Sequence, residues 1–266
     1  MDWMSVLLIV FCVYGLIHIA AFFVQDFFFF HPEKLQLGFK FKYPIDFEEI
    51  QLEGIDGSLI DCLHFPIKDS KKVIFYFKGN TRSIKGWAKF SKDFHANGYS
   101  FFIIDYPGFG KSTGKRTVDT ICYNAQVAYD WLKSRYNEED ISIYGRSLGA
   151  GFAGYITKKN NPERLILDSP FYNFTRLANY YTRVLFLRYI LKHRIPLEKY
   201  IEQVKCPVHI IHGDMDITIP LQQGKDLANI NRDKIKLHII KGGRHNNLPK
   251  KQQYHDVLKQ ILQDSN

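Results

Sequence analysis

The feature that most limits the possible folds of this chain is a short strand that leads directly into a helix through a Gly-x-Ser-x-Gly motif. Residues 141–144 alternate in polarity, and Gly145-Arg146-Ser147-Leu148-Gly149 follows at once, before the small-residue segment 150–154. A sharp strand-to-helix turn strains its central serine, and bulkier flanking residues would collide with neighbouring backbone. The hydroxyl is then exposed beside the free N–H groups of the helix N-terminus. We therefore predict that Ser147 is a nucleophile.

From Phe47 onward, apolar strand-type segments alternate with segments of helical spacing. This alternation predicts βαβ crossovers and a mostly parallel sheet with helices on both faces, the α/β class. Sites in such sheets form at the carboxyl ends of the strands. Besides the Ser147 strand, the predicted strands are Phe47–Leu52, Leu59–Phe65, Lys72–Phe77, Phe101–Asp105, Arg164–Leu167, Val208–His212 and Lys236–Ile240. The predicted helices include Ser83–Ala96, Thr117–Tyr136 and a C-terminal segment.

A serine nucleophile needs a base, and that base needs an orienting carboxylate. His245 lies in a glycine-containing loop after the last predicted strand, where it can reach back to the serine. Asp214 and Asp216 follow the Val208–His212 strand, and Asp168 follows the strand before it. The residues alone leave all three aspartates open as the acid.

Six ordered motifs resemble those of the α/β-hydrolase superfamily, from about Phe47 to the C-terminus. More narrowly, the chain looks like the abhydrolase-domain branch of membrane-anchored serine hydrolases, some of which are protein depalmitoylases or lipid hydrolases. The motifs are Tyr76-Phe77-Lys78-Gly79-Asn80, Asp105-Tyr106-Pro107-Gly108-Phe109-Gly110-Lys111-Ser112, Gly145-Arg146-Ser147-Leu148-Gly149, Asp168-Ser169-Pro170-Phe171, His212-Gly213-Asp214-Met215-Asp216 and Gly243-Arg244-His245-Asn246.

The resemblance implies an α/β-hydrolase fold and assigns the remaining site residues. The family's acid falls on Asp216, which leaves Asp214 as a neighbour that shapes the loop. The family's oxyanion donors map to the backbone N–H groups of Asn80 and Leu148. Two positions depart from the family pattern: Lys78 replaces the usual histidine, and Pro107 replaces the usual arginine. We expect Lys78 to alter the pocket entrance or its response to pH.

The N-terminal segment is predicted to be an uncleaved membrane anchor. Trp3–Val24 contains no Asp, Glu, Lys or Arg, and at about 1.5 Å per residue it can cross a hydrocarbon layer of roughly 30 Å. A cleaved signal peptide would have a basic start and a small-residue exit. We expect this segment to tether the protein without taking part in chemistry. The predicted regions are an anchor at 1–26, a connector at 27–46 and the hydrolase domain at 47–266.

Lysines follow the anchor and none precedes it, which predicts by the positive-inside tendency that the catalytic domain is cytoplasmic. These lysines are Lys34, Lys40 and Lys42.

The formal net charge is +9, but the basic residues are scattered without interleaved stacking aromatics. Nucleic-acid binding is therefore disfavoured, and a basic face toward anionic lipid is the better interpretation.

An insertion at about 170–205 interrupts the strand–helix alternation. Its residues 180–194 have helical spacing and combine aromatic, aliphatic and basic side chains. Two compatible interpretations stay open, a helix packed on the sheet and a short helical lid over the strand ends. The rings expected to line an acyl pocket are Phe171, Tyr172, Phe174, Tyr180, Tyr181 and Phe186, with Leu185 beside them. The cations expected to meet lipid headgroups are Arg176, Arg183, Arg188, Lys192 and Arg194.

The four cysteines are widely spaced and predict reduced thiols, and no metal-binding motif occurs in the sequence. We expect neither a metal nor a cofactor.

The function expected is a membrane-tethered serine hydrolase that cleaves carboxylic esters or thioesters of acyl or lipid-type substrates through an acyl-enzyme. The alternatives are a peptidase or amidase of the same fold, because fold and triad do not choose the leaving group, and a non-catalytic hydrolase-like binding protein.

Overall fold

The protein is described from a computed structural model, which covers residues 2–182 and 190–264. An eight-stranded sheet forms its centre, in the order β1-β2-β4-β3-β5-β6-β7-β8. β1 and β2 form an antiparallel hairpin, β2 pairs antiparallel with β4, and every other neighbouring pair is parallel. The strands are β1 Glu48–Glu53, β2 Leu59–Phe65, β3 Val73–Phe77, β4 Ser100–Ile104, β5 Ile141–Arg146, β6 Arg164–Asp168, β7 Val208–Gly213 and β8 Ile235–Ile240. The predicted α/β class and mostly parallel sheet are confirmed.

The β1–β2 connection shows why the sequence predicted a hairpin there. Asp56 and Gly57 both have positive φ angles, 55° and 69°. Two successive positive φ angles match the right-handed twist of the flanking strands, and the Asp-Gly pair tolerates them. The hairpin prediction is confirmed.

Helices cover both faces of the sheet because the central strands are apolar on both sides. Along β3, the side chains of Phe75 and Phe77 enter the core formed with α4 and α5, whereas Ile74 and Tyr76 enter the core formed with α3 and α9. The helices are α1 Trp3–Phe29, α2 Ile84–Trp87, α3 Ser91–His95, α4 Val118–Lys133, α5 Leu148–Lys159, α6 Phe174–Tyr181, α7 Leu197–Ile201, α8 Leu221–Ala228 and α9 Gln252–Gln263.

The helix predicted over Ser83–Ala96 is interrupted in the structure. A 3₁₀ turn, Ala88–Phe90, separates α2 from α3. The rings of Trp87 and Phe90 both pack on the ring of Tyr76. The tighter 3₁₀ turn aligns side chains three residues apart, so it lets both rings reach the same tyrosine. Periodicity alone did not reveal this local change.

The first helix is long and apolar. The Asp2 side chain accepts a hydrogen bond from the Ser5 N–H and caps it, and the helix continues to Phe29. Its most apolar window has a mean hydropathy of 2.6 and is not buried by the rest of the protein. By length and composition, α1 is able to cross a membrane.

The segment after α1 runs along the hydrolase domain. The helix includes the first residues of the predicted 27–46 connector, and the Phe30 side chain that follows is buried. His31 forms a β-bridge with Thr81, and Lys34 forms another with Gly110. The connector is thus bonded to the loops at the carboxyl ends of β3 and β4.

The helix predicted over 180–194 can be compared with the structure only at its two ends. α6 begins earlier, at Phe174, and extends to Tyr181, while residues 190–194 are not helical. Asn173 explains the early start, because its side chain accepts a hydrogen bond from the Arg176 N–H and caps the helix. The remaining predicted positions, including Arg183, Leu185, Phe186 and Arg188, lie outside the described residues.

Candidate active site

Ser147 lies at the sharp turn between β5 and α5, with φ 53° and ψ −118°. This conformation is uncommon for a residue with a side chain. A Cβ added at Gly145 would lie 2.5 Å from the Cβ of Ala153, and one at Gly149 would collide with the carbonyl oxygens of Phe77 and Lys78. The two glycines are therefore required by the close approach of α5 to the sheet, and the turn directs Ser147 into a cavity.

The structure brings three of the predicted residues together at the carboxyl ends of β5, β7 and β8. The His245 Nε2 atom lies 3.0 Å from the Ser147 Oγ atom. The His245 Nδ1 atom lies 2.8 Å from the Asp216 Oδ2 atom. With Nδ1 protonated, His245 donates to the carboxylate and presents Nε2 as an acceptor to the serine hydroxyl. This geometry suits removal of the serine proton by the imidazole.

The Asp216 carboxylate is buried and held in place by its own loop. Its Oδ1 atom accepts hydrogen bonds from the N–H groups of Thr218 and Ile219, at 2.9 and 2.8 Å. Burial raises the pKa of Asp216, but hydrogen bonds from His245 and Ile219 and the nearby charge of His245 more than offset that rise and lower its pKa. Asp216 therefore stays ionised at neutral pH. Asp214 is exposed and does not reach the histidine.

Asp168, the third candidate acid, contacts Tyr144 and Arg146. Its Oδ2 atom accepts a hydrogen bond from the Tyr144 hydroxyl at 2.8 Å and lies 3.5 Å from the Arg146 Nε atom. Arg146 in turn donates from a terminal nitrogen to the His245 carbonyl oxygen at 2.8 Å. Asp168 and Arg146 thus hold the backbone of the loop that carries the imidazole.

This role of Arg146 was not predicted from the sequence. Its position inside the Gly-x-Ser-x-Gly motif was the available signal, because a cation next to Ser147 must lie close to the site. Burial alone lowers the pKa of Arg146, but the nearby Asp168 carboxylate raises it overall. The guanidinium is therefore permanently charged and matched by a buried carboxylate.

The two predicted oxyanion donors lie at the same cavity. Leu148 is the first residue of α5, so its N–H has no acceptor within the helix. Asn80 follows β3 on the opposite side of Ser147, and its side chain donates to the Phe29 carbonyl oxygen at 2.9 Å. Both residues line the cavity together with Ser147 and His245. The function of their N–H groups stays a prediction.

The cavity has a volume of about 760 Å³, within the range of roughly 300–1,000 Å³ typical of small-molecule sites. Its wall on the side of the insertion consists mainly of apolar side chains. These are Phe171, Phe174, Leu177, Ala178, Tyr181 and Leu191. Of the predicted pocket rings, Phe171, Phe174 and Tyr181 line the cavity, whereas Tyr172 and Tyr180 do not.

Two of the cations expected to meet lipid headgroups form ion pairs within the protein. Arg176 lies 2.6 Å from an oxygen of Asp226, and Lys192 lies 3.8 Å from one of Asp26. The second pair joins the insertion to the end of α1.

α1 residues also line the cavity, among them Val24 and Phe28. The N-terminal segment thus also contributes to the cavity wall, and the expectation that it takes no part in the chemistry stays a prediction.

Lys78, which was expected to alter the pocket entrance or its response to pH, is not at the entrance, and its effect on the pH response stays a prediction. It is fully buried behind the Gly79-Asn80 loop, 3.4 Å from Asp105, and donates to the Arg82 carbonyl oxygen at 3.0 Å. Burial lowers the pKa of Lys78 and raises that of Asp105, while their mutual attraction opposes both shifts. The aromatic residues around the ion pair leave it no access to solvent. The pair thus supports the Gly79-Asn80 loop from the buried side.

Pro107, the second departure from the family pattern, fits its turn. The Phe109 N–H donates to the Tyr106 carbonyl oxygen at 2.9 Å, and Gly108 has a φ of 80°. Proline followed by a residue with positive φ is the pattern of a type II turn. The change therefore stiffens a turn beside the site.

Replacement of Lys78 by methionine should destabilise the fold, because it leaves the Asp105 carboxylate buried without its cation. The expected cost is about 3–5 kcal/mol, measured by chemical denaturation of the full chain in detergent. Lys85→Met is the control, since Lys85 pairs with Glu33 at the surface, where a pair contributes about 0–1 kcal/mol. Equal stability of the two variants would contradict a supporting role for the buried pair.

The sheet order and the nucleophile elbow define the α/β-hydrolase fold. The solved esterase Pf2001 of Pyrococcus furiosus superimposes with a TM-score of 0.69 at 18% identity, covering 88% of this chain and 96% of the esterase. The family model described as serine aminopeptidase, S33 matches residues 68–196.

Two curated relatives match over most of this chain. Human protein ABHD12B is 30% identical over 73% of this chain and 62% of its own length. The lysophosphatidylserine lipase ABHD12 of Xenopus tropicalis is 26% identical over 81% of this chain and 59% of its own length. The chain thus spans about three fifths of the length of these relatives. Its similarity is thus to abhydrolase-domain proteins with the α/β-hydrolase fold.

Proposed function

We propose that the protein is a membrane-tethered serine hydrolase that cleaves ester or thioester bonds of acyl or lipid-type substrates. The observation that carries this proposal is the continuous hydrogen-bonded series from Asp216 through His245 to Ser147, which ends in a largely apolar cavity. A nucleophile, a base and an orienting acid are the groups that acyl transfer requires.

The proposed reaction begins when the Ser147 Oγ atom attacks the carbonyl carbon and His245 Nε2 accepts the hydroxyl proton. Asp216 stabilises the resulting imidazolium, and the N–H groups of Asn80 and Leu148 receive the charge that develops on the carbonyl oxygen. The tetrahedral intermediate then collapses, and His245 gives the proton to the departing alcohol or thiol. Water, activated by His245, attacks the acyl-enzyme in the same way and releases the carboxylic acid.

The cavity lining supports an acyl or lipid-type substrate. Apolar side chains from α6 and its flanks surround the space next to Ser147, and each methylene buried there contributes about 0.8 kcal/mol at most. Two relatives support the same class, since ABHD12 of Xenopus tropicalis is a lysophosphatidylserine lipase and Pf2001 is an esterase. The proposal therefore includes the class of substrate, an ester or thioester of acyl or lipid type.

A peptidase or amidase is the second candidate, favoured by the family model described as serine aminopeptidase. The same catalytic groups hydrolyse amides, so the rates of ester and amide cleavage must be compared on two substrates that share one acyl group and differ in the leaving group. Decanoyl p-nitrophenol and decanoyl p-nitroanilide provide that pair. We expect the ester to be cleaved faster, and faster cleavage of the anilide would favour the amidase.

Removal of the nucleophile should abolish hydrolysis of p-nitrophenyl decanoate. Ser147→Ala loses the attacking oxygen, and Asp216→Asn should lower kcat by about 10⁴-fold, the cost of losing the orienting acid in a serine protease. Asp214→Asn is the matched control, because Asp214 is exposed and lies in the same loop. A severe loss in Asp214→Asn with a mild one in Asp216→Asn would reverse the assignment of the acid.

The membrane tether is also part of the proposal. α1 has the length and hydropathy of a spanning helix. The lysines that follow it support a cytoplasmic catalytic domain by the positive-inside tendency. The tether and a lipid-type substrate fit together, since both bring the site to the bilayer.

Carbonate extraction of membranes from expressing cells tests the tether. We expect the protein to stay in the membrane fraction at alkaline pH, because a spanning helix is held by its apolar surface and not by charge. Intact-mass measurement of the purified protein should show that α1 is retained. Release into the supernatant would contradict a spanning anchor, and a mass lacking α1 would identify a cleaved signal sequence.

A further inference from the structure

One face of α1 forms a wall of the cavity that contains Ser147. The residues on this face are Ala21, Val24, Gln25, Phe28 and Phe29. Their spacing of three and four residues places them along one side of the helix. Ala20, Phe23 and Phe27 do not line the cavity. They are exposed, as are Val24 and Phe28 on the cavity side. The helix thus presents two apolar faces, one toward the cavity and one away from the protein.

The end of α1 is fixed to the insertion by polar contacts. Gln25 is only 7% exposed. Its amide nitrogen donates to the Ile190 carbonyl oxygen at 3.2 Å, and its oxygen accepts from the Lys192 N–H at 2.8 Å. The Asp26 carboxylate lies 2.5 Å from the His193 Nε2 atom. These contacts hold the wall in position, because a buried glutamine that lost them would leave polar groups unpaired.

The same helix end is bonded to the predicted oxyanion loop. The Asn80 side chain donates to the Phe29 carbonyl oxygen at 2.9 Å, and the Asn80 carbonyl oxygen accepts from the His31 N–H at 2.9 Å. The Phe29 ring packs edge-on against Phe174 of α6. The end of α1 therefore joins both sides of the cavity.

The length of α1 places this wall close to a bilayer surface. Its 27 residues extend about 40 Å at 1.5 Å per residue, whereas the hydrocarbon layer is roughly 30 Å thick. If α1 spans a membrane from its N-terminus, its last turns lie at the boundary between hydrocarbon and water. An acyl chain could then pass along α1 from the bilayer into the cavity without exposure to water.

We infer that the cavity-facing side of α1, from Ala21 to Phe29, binds the substrate's acyl chain and sets the preference for chain length. This inference rests on the proposed function and adds to it the origin of the substrate, a lipid taken from the bilayer along the anchor. For a soluble ester that enters from water, each methylene held against this wall strengthens binding by about fourfold.

Matched tryptophan substitutions on the two sides of α1 test the inference. Ala21→Trp and Val24→Trp fill the wall, while Ala20→Trp and Phe23→Trp place the same ring outside the cavity. The full-length variants are assayed in detergent with p-nitrophenyl acetate and p-nitrophenyl decanoate below their micelle-forming concentrations. The quantity measured is the ratio of kcat/KM for decanoate to that for acetate.

We expect Ala21→Trp and Val24→Trp to lower this ratio about tenfold or more, which corresponds to at least 1.4 kcal/mol of lost chain binding. The loss should appear as a higher KM for decanoate. Ala20→Trp and Phe23→Trp should keep the wild-type ratio within about twofold, since normal experimental variation and small packing changes produce no more. A ratio unchanged by the wall variants, or lowered equally on both sides of α1, would overturn the inference.

A second measurement keeps the inference separate from the proposed reaction. Full-length Ser147→Ala is photolysed with a decanoate ester that carries a diazirine at the chain end, and the cross-linked residues are mapped by mass spectrometry. We expect cross-links to the 21–29 wall that excess p-nitrophenyl decanoate removes, even though no cleavage occurs. Cross-links confined to the outer face would overturn the inference, whereas inactivity of the wild type toward both esters would contradict the proposed function alone.

Discussion

The strained backbone of Ser147 is the constraint on which the site depends. Its φ of 53° costs of the order of 1–3 kcal/mol, and the surrounding packing offsets that cost. Gly145 and Gly149 let α5 approach the ends of β3 and β5 without collision, and the Ser147 N–H donates to the Asp168 carbonyl oxygen at 2.9 Å. A relaxed serine would move its hydroxyl away from His245. Favourable packing around the turn thus holds the strained backbone that places the Ser147 Oγ atom.

The second constraint is the junction between the first helix and the domain. An anchor joined by a free connector would leave the cavity open on one side. Here Gln25, Asp26 and Phe29 attach the helix to the insertion and to the Asn80 loop, and the helix closes that side. In the proposed function, tethering and substrate binding use the same element, and the helix sets the orientation of the site relative to a bilayer.

The parts of the fold predicted from the sequence are those governed by local patterns. Buried strands such as Val73–Phe77 and the Asp56-Gly57 turn depend on neighbouring residues, and the ordered motifs led to Ser147, Asp216 and His245. The contacts that were missed are non-local. Arg146 meets the His245 carbonyl oxygen across 98 intervening residues, and Lys192 meets Gln25 across an even longer separation. Periodicity within one segment contains no information about such partners, which is also why the buried pair of Lys78 with Asp105 was not predicted.

The most direct test of the account is to locate the nucleophile. Full-length protein is treated with a fluorophosphonate that carries a decyl chain, digested, and analysed by tandem mass spectrometry. We expect one stoichiometric adduct, on the Oγ atom of Ser147, because only this hydroxyl is both aligned with His245 and open to the cavity among the described residues. An adduct on Ser169 or another hydroxyl, or no adduct on a folded protein, would contradict it.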